Sequence, residues 1–273
     1  MNLGGDVPIR LVASDLDGTL LRRDGSISER TAMAVQAIEE VGISIVLATA
    51  RPPRFLGGIV EALACHPIVV CSNGAFVWDS ATNSVQMENL IPTEVAAESI
   101  RRAREILTDA VFSVEISIDG YGCEPHYVGE WPRPAEAEVA PVEDLVVTPV
   151  AKLSIRHGPS DPWATLDEVH GALGDLVEVT RSSPTAPIEL LALGVSKASG
   201  VAFVADQLGI TPPEILAIGD MPNDLPMLHW AGRSAAPANA HENVLTTVDA
   251  ILGDCDEDGV AELIEQLAVV AGR

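Results

Sequence analysis

The sequence predicts an α/β protein in which a doubly wound parallel sheet is interrupted by an inserted α+β module. Near both ends of the chain, apolar runs of the length of one buried strand alternate with helical patterns. In the middle, apolar and polar residues alternate, as in residues 115–119, which is typical of an antiparallel sheet with one solvated face. With 273 residues and 47% hydrophobic content, the chain can bury both cores.

The first part of the chain alternates strands and helices. The predicted elements are strand 9–13, helix 29–41, strand 43–48, a helix that opens at residues 52–53, and strand 68–71. Ser28 can cap the first helix and Gly42 can end it, because serine accepts from helical N–H groups and glycine adopts the left-handed C-cap. The two prolines at residues 52–53 suit the first turn of a helix.

The middle and the end of the chain complete this pattern. The predicted strands of the middle are 76–79, 85–89, 111–119, 152–157, 176–181 and 188–191, with helices 92–107 and 162–173 between them. After them come helix 196–208, strand 215–218, strand 250–252 and helix 260–268. We therefore predict that residues 1–75 and 189–273 form the α/β core and that residues 76–188 form the inserted module.

The composition of the chain limits the classes of partner and the compartment that we expect for it. A net charge of −24 repels nucleic-acid phosphates and anionic membranes, so we expect neither as a partner. The four cysteines form no C-x-x-C pair, which predicts buried free thiols in a reducing compartment. With no signal peptide and no apolar run of membrane-spanning length, we expect a cytoplasmic protein. The sequence leaves the oligomeric state open.

Two carboxylates follow the first predicted strand. Asp15 and Asp17 stand two residues apart, and Gly18 comes next. The carboxyl edge of a parallel sheet is where open α/β folds bind ligands. Two acids at that edge repel each other unless a cation or a shared proton compensates. The pattern therefore predicts a metal-dependent acid pair.

Further polar residues follow other strands or begin a helix. They are Thr49, Lys197, Asp220, Asn223 and Asp224. Because all parallel strands end at the same edge, these residues can meet the acid pair in one pocket. Carboxylates with an amide, a hydroxyl and an ammonium suit a hard divalent cation and a phosphate, and Mg²⁺ prefers oxygen ligands. Lys197 is also one of only two lysines, with Lys152.

This set of residues predicts phosphoryl transfer. Asp15 can attack phosphorus as a carboxylate nucleophile, and Asp17 can protonate the leaving alcohol and then activate water. Thr49, Lys197 and Asn223 are the predicted phosphate-binding residues, since positive charge and hydrogen-bond donors offset the charge on phosphoryl oxygens.

The chain resembles the haloacid dehalogenase superfamily of phosphatases, in particular its Cof-like branch (subfamily IIB). The resemblance lies in residues 15–20, Thr49, residues 72–75, Lys197 and residues 219–224. It implies a Rossmann-like core, an inserted cap domain of the C2 type, and Mg²⁺ bound by the Asp15 carboxylate, the Asp17 backbone carbonyl and the Asp220 carboxylate. It also implies that Asp224 and Gly18 support this site.

The expected activity is Mg²⁺-dependent hydrolysis of a small soluble phosphomonoester, such as a sugar phosphate or a similar metabolite, through an aspartyl phosphate. Arg51 and Asn73 are candidates for substrate contact. Two alternatives stay open: a phosphomutase of the same superfamily, and a signalling domain that accepts a phosphoryl group on an aspartate. The sequence does not name the substrate, because in this family the cap sets selectivity.

Overall fold

The computed structural model describes residues 7–272, which form fourteen β-strands and nine α-helices. The strands β1 to β14 are Leu11–Ser14, Ser44–Ala48, Ile68–Cys71, Phe76–Asp79, Ser84–Glu88, Val111–Glu115, Tyr121–Cys123, Glu138–Val139, Lys152–Arg156, Val177–Thr180, Ile188–Ala192, Ile215–Ile218, Arg233–Pro237 and Ala250–Leu252. The helices α1 to α9 are Glu29–Glu40, Gly57–Leu63, Thr93–Ile106, Val142–Leu145, Pro162–Leu173, Lys197–Leu208, Leu225–Trp230, Glu242–Leu245 and Gly259–Ala271.

Eight strands form the core sheet, in the order β14-β13-β12-β1-β2-β3-β4-β5. All pairs from β14 to β3 are parallel, and β4 and β5 extend the sheet as an antiparallel hairpin. In β1, Val12 packs into the apolar cluster that contains Ile38 of α1, and Ala13 packs into the opposite cluster with Val204 of α6. Because both faces are covered, the strand reads as a continuous apolar run.

Six strands form a second sheet, in the order β10-β11-β9-β6-β7-β8. Its pairs are antiparallel except β7 with β8. Helices α3 and α5 cover one face, where Ile100 and Val169 are buried with Phe112 and Leu153 of the sheet. A doubly wound α/β core with an inserted α+β module is thus confirmed.

Strand pairing at the two ends of this module differs from the predicted division of the chain. Strands β4 and β5, predicted for the module, pair with the core sheet, where Cys71 of β3 lies opposite Phe76. Strand β11 pairs with β9 and β10 of the second sheet, although residues 189–192 were predicted for the core. Alternation of apolar and polar residues along a strand indicates antiparallel pairing, but it does not show which sheet supplies the neighbouring strand. The second sheet therefore takes its strands from β6 to β11, and the division into two domains stays a prediction.

The structure confirms the predicted cap of α1 and the buried free thiols, and it changes the predicted helix at residues 52–53. The Ser28 hydroxyl accepts from the Thr31 N–H at 3.0 Å, as expected for the cap of α1. The expected helix at residues 52–53 is a 3₁₀ turn, Pro53–Phe55, followed by α2. All four cysteines are buried free thiols. Within residues 7–272, no helix has both the length and the apolar character needed to cross a membrane.

Candidate active site

Asp15 and Asp220 lie side by side because they follow neighbouring parallel strands. The Asp15 N–H donates to the carbonyl of Ile218, the last residue of β12, at 2.8 Å. On the other side of β1, the Thr49 N–H donates to the carbonyl of Val70 at 2.8 Å, so β2 ends at the same edge. The fold therefore brings the predicted residues of separate strands to one edge, as expected.

Lys197 joins two of the predicted acids. It is the first residue of α6, whose Ser196 cap forms a reciprocal capping box with Ser199. Its Nζ donates to Oδ1 of Asp15 at 2.5 Å and to Oδ1 of Asp224 at 2.7 Å. All three charged side chains are buried, so each depends on the others for the compensation of its charge.

Asp224 uses both of its carboxylate oxygens inside the protein. Oδ1 accepts from Lys197, and Oδ2 accepts from the backbone N–H groups of Asp220 and Met221 at 3.1 and 3.0 Å. Asp224 therefore holds Lys197 and the loop after β12 in place. Asp15 and Asp220 are the buried acids with oxygens to offer a ligand.

The donor set at this position fits a divalent cation. One carboxylate oxygen of Asp15 and one of Asp220 lie within 4.8 Å of each other. Burial raises the pKa of Asp15 to about 7, although the Lys197 ammonium acts in the opposite direction. Burial and the neighbouring Asp15 also raise the pKa of Asp220 well above its usual range. A cation bound by Asp15 and Asp220 would remove this penalty on their charged forms.

Two glycines allow close backbone approach at the site. Gly18 has φ +79°, and a Cβ there would lie 2.6 Å from Oδ2 of Asp220. Gly74 has φ +104°, and a Cβ there would lie 2.2 Å from the carbonyl oxygen of Ser196, just before Lys197. Neither position has room for a side chain, and both backbones favour glycine.

Arg51 pairs with Asp17. Its Nε donates to Asp17 Oδ2 at 2.8 Å, and its Nη2 donates to Oδ1 of the same carboxylate. The Asp17 side chain is 48% exposed, so it lies over the buried acids rather than among them. Arg51 was predicted to contact the substrate, and the structure shows it bound to the predicted acid–base residue.

Thr49 and Asn73 lie behind this group. Thr49 is fully buried, and its hydroxyl oxygen accepts from the Arg51 N–H at 3.1 Å. The Asn73 N–H donates to the Thr49 carbonyl at 2.9 Å, and the Asn73 backbone is left-handed with φ 54°. The Asn73 amide points to Glu189 of β11, to which it donates at 2.7 Å.

A cavity of about 160 Å³ opens above the acids. Its core side includes Asp15, Asp17, Ala50, Lys197, Asp220, Met221 and Asn223. Its other side comes from the inserted module, with Glu130, Trp131, Ser182 and Ser183. Core and module therefore enclose this space together.

A larger cavity of about 790 Å³ lies elsewhere, at the amino ends of β2 and β3. It is at the opposite edge of the sheet from the acid cluster, and its titratable residues are Glu39 and His66. The smaller cavity is the candidate active site, because the carboxylates and Lys197 line it.

Sequence reasoning missed the residues that the inserted module contributes. Lys152 of β9 donates from Nζ to Glu189 and, at 3.0 Å, to the carbonyl of Ala50 beside the cavity. Arg54 of the core binds Glu115 of β6 with Nη1 and Nη2 at 2.5 and 2.7 Å. The rarity of lysine was the one signal available for Lys152.

Comparison with known proteins agrees with this geometry. Residues 12–264 match the model of the haloacid dehalogenase-like hydrolase family. The 5-amino-6-(5-phospho-D-ribitylamino)uracil phosphatase YcsE of Bacillus subtilis is 30% identical over 95% of this chain and 96% of that protein. The HMP-PP phosphatase of an Enterobacter species is 25% identical over 93% and 94% of the two chains.

Solved structures of haloacid dehalogenase-like proteins are also similar to this chain in fold. The phosphatase BT1666 of Bacteroides thetaiotaomicron has a TM-score of 0.79 at 27% identity, over 97% of each chain. A haloacid dehalogenase-like hydrolase of the same organism has a TM-score of 0.74 at 29% identity, over 95% and 99%.

The fold and the family match define a hydrolase of the haloacid dehalogenase type, and the chain belongs to that family. Within it, the chain is a Cof-like phosphatase.

Proposed function

We propose that the protein is a Mg²⁺-dependent phosphatase that hydrolyses a small soluble phosphomonoester through an aspartyl phosphate. The observation that carries this proposal is the buried Lys197 ammonium between Asp15 and Asp224, at the floor of a cavity that also contains Asp17 and Asp220. This arrangement offers a nucleophile, an acid–base group and positive charge within one enclosed space.

In the first step, a carboxylate oxygen of Asp15 attacks phosphorus, and the bond from phosphorus to the ester oxygen breaks. Asp17 gives its proton to the leaving oxygen, which departs as an alcohol. In the second step, Asp17 takes a proton from water as that water attacks the aspartyl phosphate, which releases inorganic phosphate and restores Asp15. Arg51 keeps the Asp17 carboxylate in place between the two steps.

Asp15, the backbone carbonyl of Asp17 and Asp220 would hold Mg²⁺ in this site. The ion would supply positive charge to the nucleophile and to the phosphoryl oxygens. Lys197 holds Asp15 from the opposite side through Oδ1. Thr49 and Lys197 are the proposed donors to the phosphoryl oxygens. Asn223 lines the cavity and is a further proposed phosphate-binding residue.

The cavity supports a small phosphorylated metabolite as substrate. The Trp131 ring offers a flat apolar surface, while Ser182 and Ser183 offer hydroxyl groups to a polyol. The relative YcsE is named for a substrate that carries a phosphorylated ribityl chain and a uracil ring. We propose a leaving group of that kind for this chain, and a cytoplasmic location in keeping with its buried free thiols.

The test is a phosphate-release screen of purified protein with Mg²⁺ over sugar phosphates, polyol phosphates and phosphorylated ring compounds, including the substrate named for YcsE. We expect turnover that excess chelator abolishes and that the Asp15→Asn variant lacks. A stable phosphorylated protein without phosphate release would instead indicate a signalling domain. An isomerised phosphoester would indicate a mutase.

A further inference from the structure

The floor of the active-site cavity and the wall that the inserted module supplies differ in charge. Among the described residues 7–272, Lys197 is the cationic residue of the lining, and it belongs to the floor. The module wall consists of Glu130, Trp131, Ser182 and Ser183. A phosphoryl group at the floor therefore meets positive charge, whereas the rest of the ester meets a carboxylate, an indole ring and two hydroxyl groups.

Two cations beside the module wall are already engaged by other groups. The Arg51 guanidinium donates from Nε and Nη2 to the carboxylate of Asp17. The Lys152 ammonium donates to Glu189 and, at 3.0 Å, to the carbonyl of Ala50. A second anionic group of a substrate would have to compete with these contacts for a counter-charge.

Glu130 has no such partner. Within residues 7–272, its carboxylate makes no hydrogen bond and no ion pair. The next residue, Trp131, is held from two sides: its ring centroid lies 5.7 Å from that of Phe55 in the core and 5.9 Å from Nζ of Lys152. Trp131 therefore fixes the chain at the cavity and leaves the Glu130 carboxylate available to a ligand.

The surroundings of Glu130 disfavour a further negative charge. Although the residue is exposed overall, the protein atoms around its carboxyl group displace water and raise its pKa above the usual range, as do the carboxylates of Glu189 and Asp17. The cations Lys152 and Arg156 act in the opposite direction, but neither lines this cavity. A ligand that carries positive charge or an N–H or O–H donor would stabilise the carboxylate, and a second anion would be repelled.

We propose that Glu130 is a specificity-determining residue that selects phosphomonoesters whose leaving group carries amino or hydroxyl groups and no second anionic group. An ammonium or hydroxyl group donates to Glu130, and the Trp131 ring contacts a flat ring or a cation. The hydroxyl groups of Ser182 and Ser183 both donate and accept, so they do not discriminate by charge. This selection rests on the proposed phosphatase function and narrows its substrate class.

The test uses phosphate esters of straight carbon chains that end in an ammonium, a hydroxyl or a carboxylate group. Chains of two to five carbon atoms bring the end group to different distances from the phosphoryl group. Each ester is assayed with Mg²⁺ at about pH 8, where the three end groups carry charges of +1, 0 and −1.

Three variants of the full-length protein are compared with the wild type. Glu130→Gln keeps the size of the side chain and removes its charge, and Glu130→Lys reverses the charge. Glu136→Gln is the matched control. Glu136 is an exposed acid of the same segment between β7 and β8 and does not line the cavity, so its substitution changes the net charge of the protein equally.

The wild type should have a higher kcat/KM for the ammonium ester than for the carboxylate ester, and the neutral ester should lie between them. Glu130→Gln should reduce the ratio of ammonium to carboxylate ester by about 10-fold at the chain length of greatest discrimination, since it removes both an attraction and a repulsion. Glu130→Lys should invert the order, and Glu136→Gln should keep the wild-type ratio.

The proposal is overturned if Glu130→Gln and Glu136→Gln give the same ratio at every chain length, or if the wild type prefers the carboxylate esters. A wild type that releases no phosphate from any of these esters or from 4-nitrophenyl phosphate would instead refute the proposed function. Calorimetry of ester binding to Asp15→Asn, with and without Glu130→Gln, then decides the role of Glu130 separately. The same shift in the ratio of binding constants supports it, and equal or undetectable binding overturns it.

Discussion

The Lys197 ammonium lies 2.5 Å from Oδ1 of Asp15, although 182 positions separate the two residues in the chain. The second contact of Lys197, with Asp224, ties the loop after β12 to the same charge. One lysine thus compensates two buried acids, and the three residues come from three different segments of the chain.

Replacing Lys197 with methionine should reduce both activity and stability. The variant leaves Asp15 and Asp224 buried without their cation, which costs about 3–5 kcal/mol of unfolding free energy. It also removes positive charge from the reacting phosphoryl group, so kcat should fall by about 10²–10³-fold. Phosphate release and urea unfolding measure the two effects. Arg54→Met, which breaks the pair between Arg54 of the core and Glu115 of the inserted module, should lower stability with a much smaller loss of kcat.

The metal-free protein should lose stability as pH rises from about 4 to about 7. The pKa of Asp15 is raised to about 7 in the folded state, so in this range the folded protein binds more protons than the unfolded chain. The stabilisation that the Asp15 proton provides is complete below the ordinary pKa of an aspartate. It is lost as the pH rises through the folded-state pKa of Asp15. The wild type should lose roughly 2 kcal/mol more than Asp15→Asn between pH 5 and pH 7 in chelator. Equal pH slopes of unfolding free energy in the two proteins would contradict the raised pKa.

Asp15→Asn should also end turnover while the protein stays folded. The amide has nearly the same shape but is a far poorer nucleophile, and it lacks the charge that a metal ion needs. Circular dichroism and a phosphate-release assay are the measurements. Activity above a few per cent of wild type in a clean preparation would remove Asp15 from the proposed mechanism.

Asp17→Asn should separate the two chemical steps. The nucleophile remains, so a substrate with a good leaving group can still phosphorylate Asp15. Hydrolysis of the intermediate should slow by about 10²–10⁴-fold, because no group takes a proton from the attacking water. Rapid quenching and mass spectrometry would detect the accumulated aspartyl phosphate. If neither step changes, Asp17 is not the acid–base group.

Activity should require Mg²⁺, and Ca²⁺ should replace it poorly. Mg²⁺ keeps a small octahedral shell, whereas Ca²⁺ accepts more oxygen ligands at longer distances and can take both oxygens of a carboxylate. Such binding of Asp15 would occupy the oxygen that attacks phosphorus. The measurement is phosphate release as Mg²⁺ or Ca²⁺ is added back to protein from which a chelator has removed metal. Equal rates with the two ions would argue against the proposed Mg²⁺ site.

Much of the core could be predicted from the sequence because its signals are local. The run that forms β1 is apolar on both faces, and the acids that follow it mark the edge of a parallel sheet. Strand β13 escaped prediction because its residues, Arg233–Pro237, are small or polar and include a proline. The sheet membership of β4 also lay beyond the pattern, since a strand's own residues do not identify its neighbour.

The residues of the candidate site also form two groups, those that the sequence indicates and those that only the fold brings together. Asp15, Lys197 and Asp220 carry chemistry that residue type and position reveal. Lys152 and Glu189 meet only because β9 and β11 pair, and neither strand contains a motif. Their partners in the core are likewise set by tertiary contact, so no spacing in the sequence announces them.

The tight contact of Gly74 against Ser196 limits how this enzyme can be altered in the laboratory. Any larger residue at position 74 would push the start of α6, and with it Lys197, away from Asp15. Mutant libraries aimed at the core edge should therefore yield mostly inactive clones. Libraries at residues 130–131 and 182–183, which line the cavity from the side of the inserted module, should retain activity more often and supply most new substrate preferences.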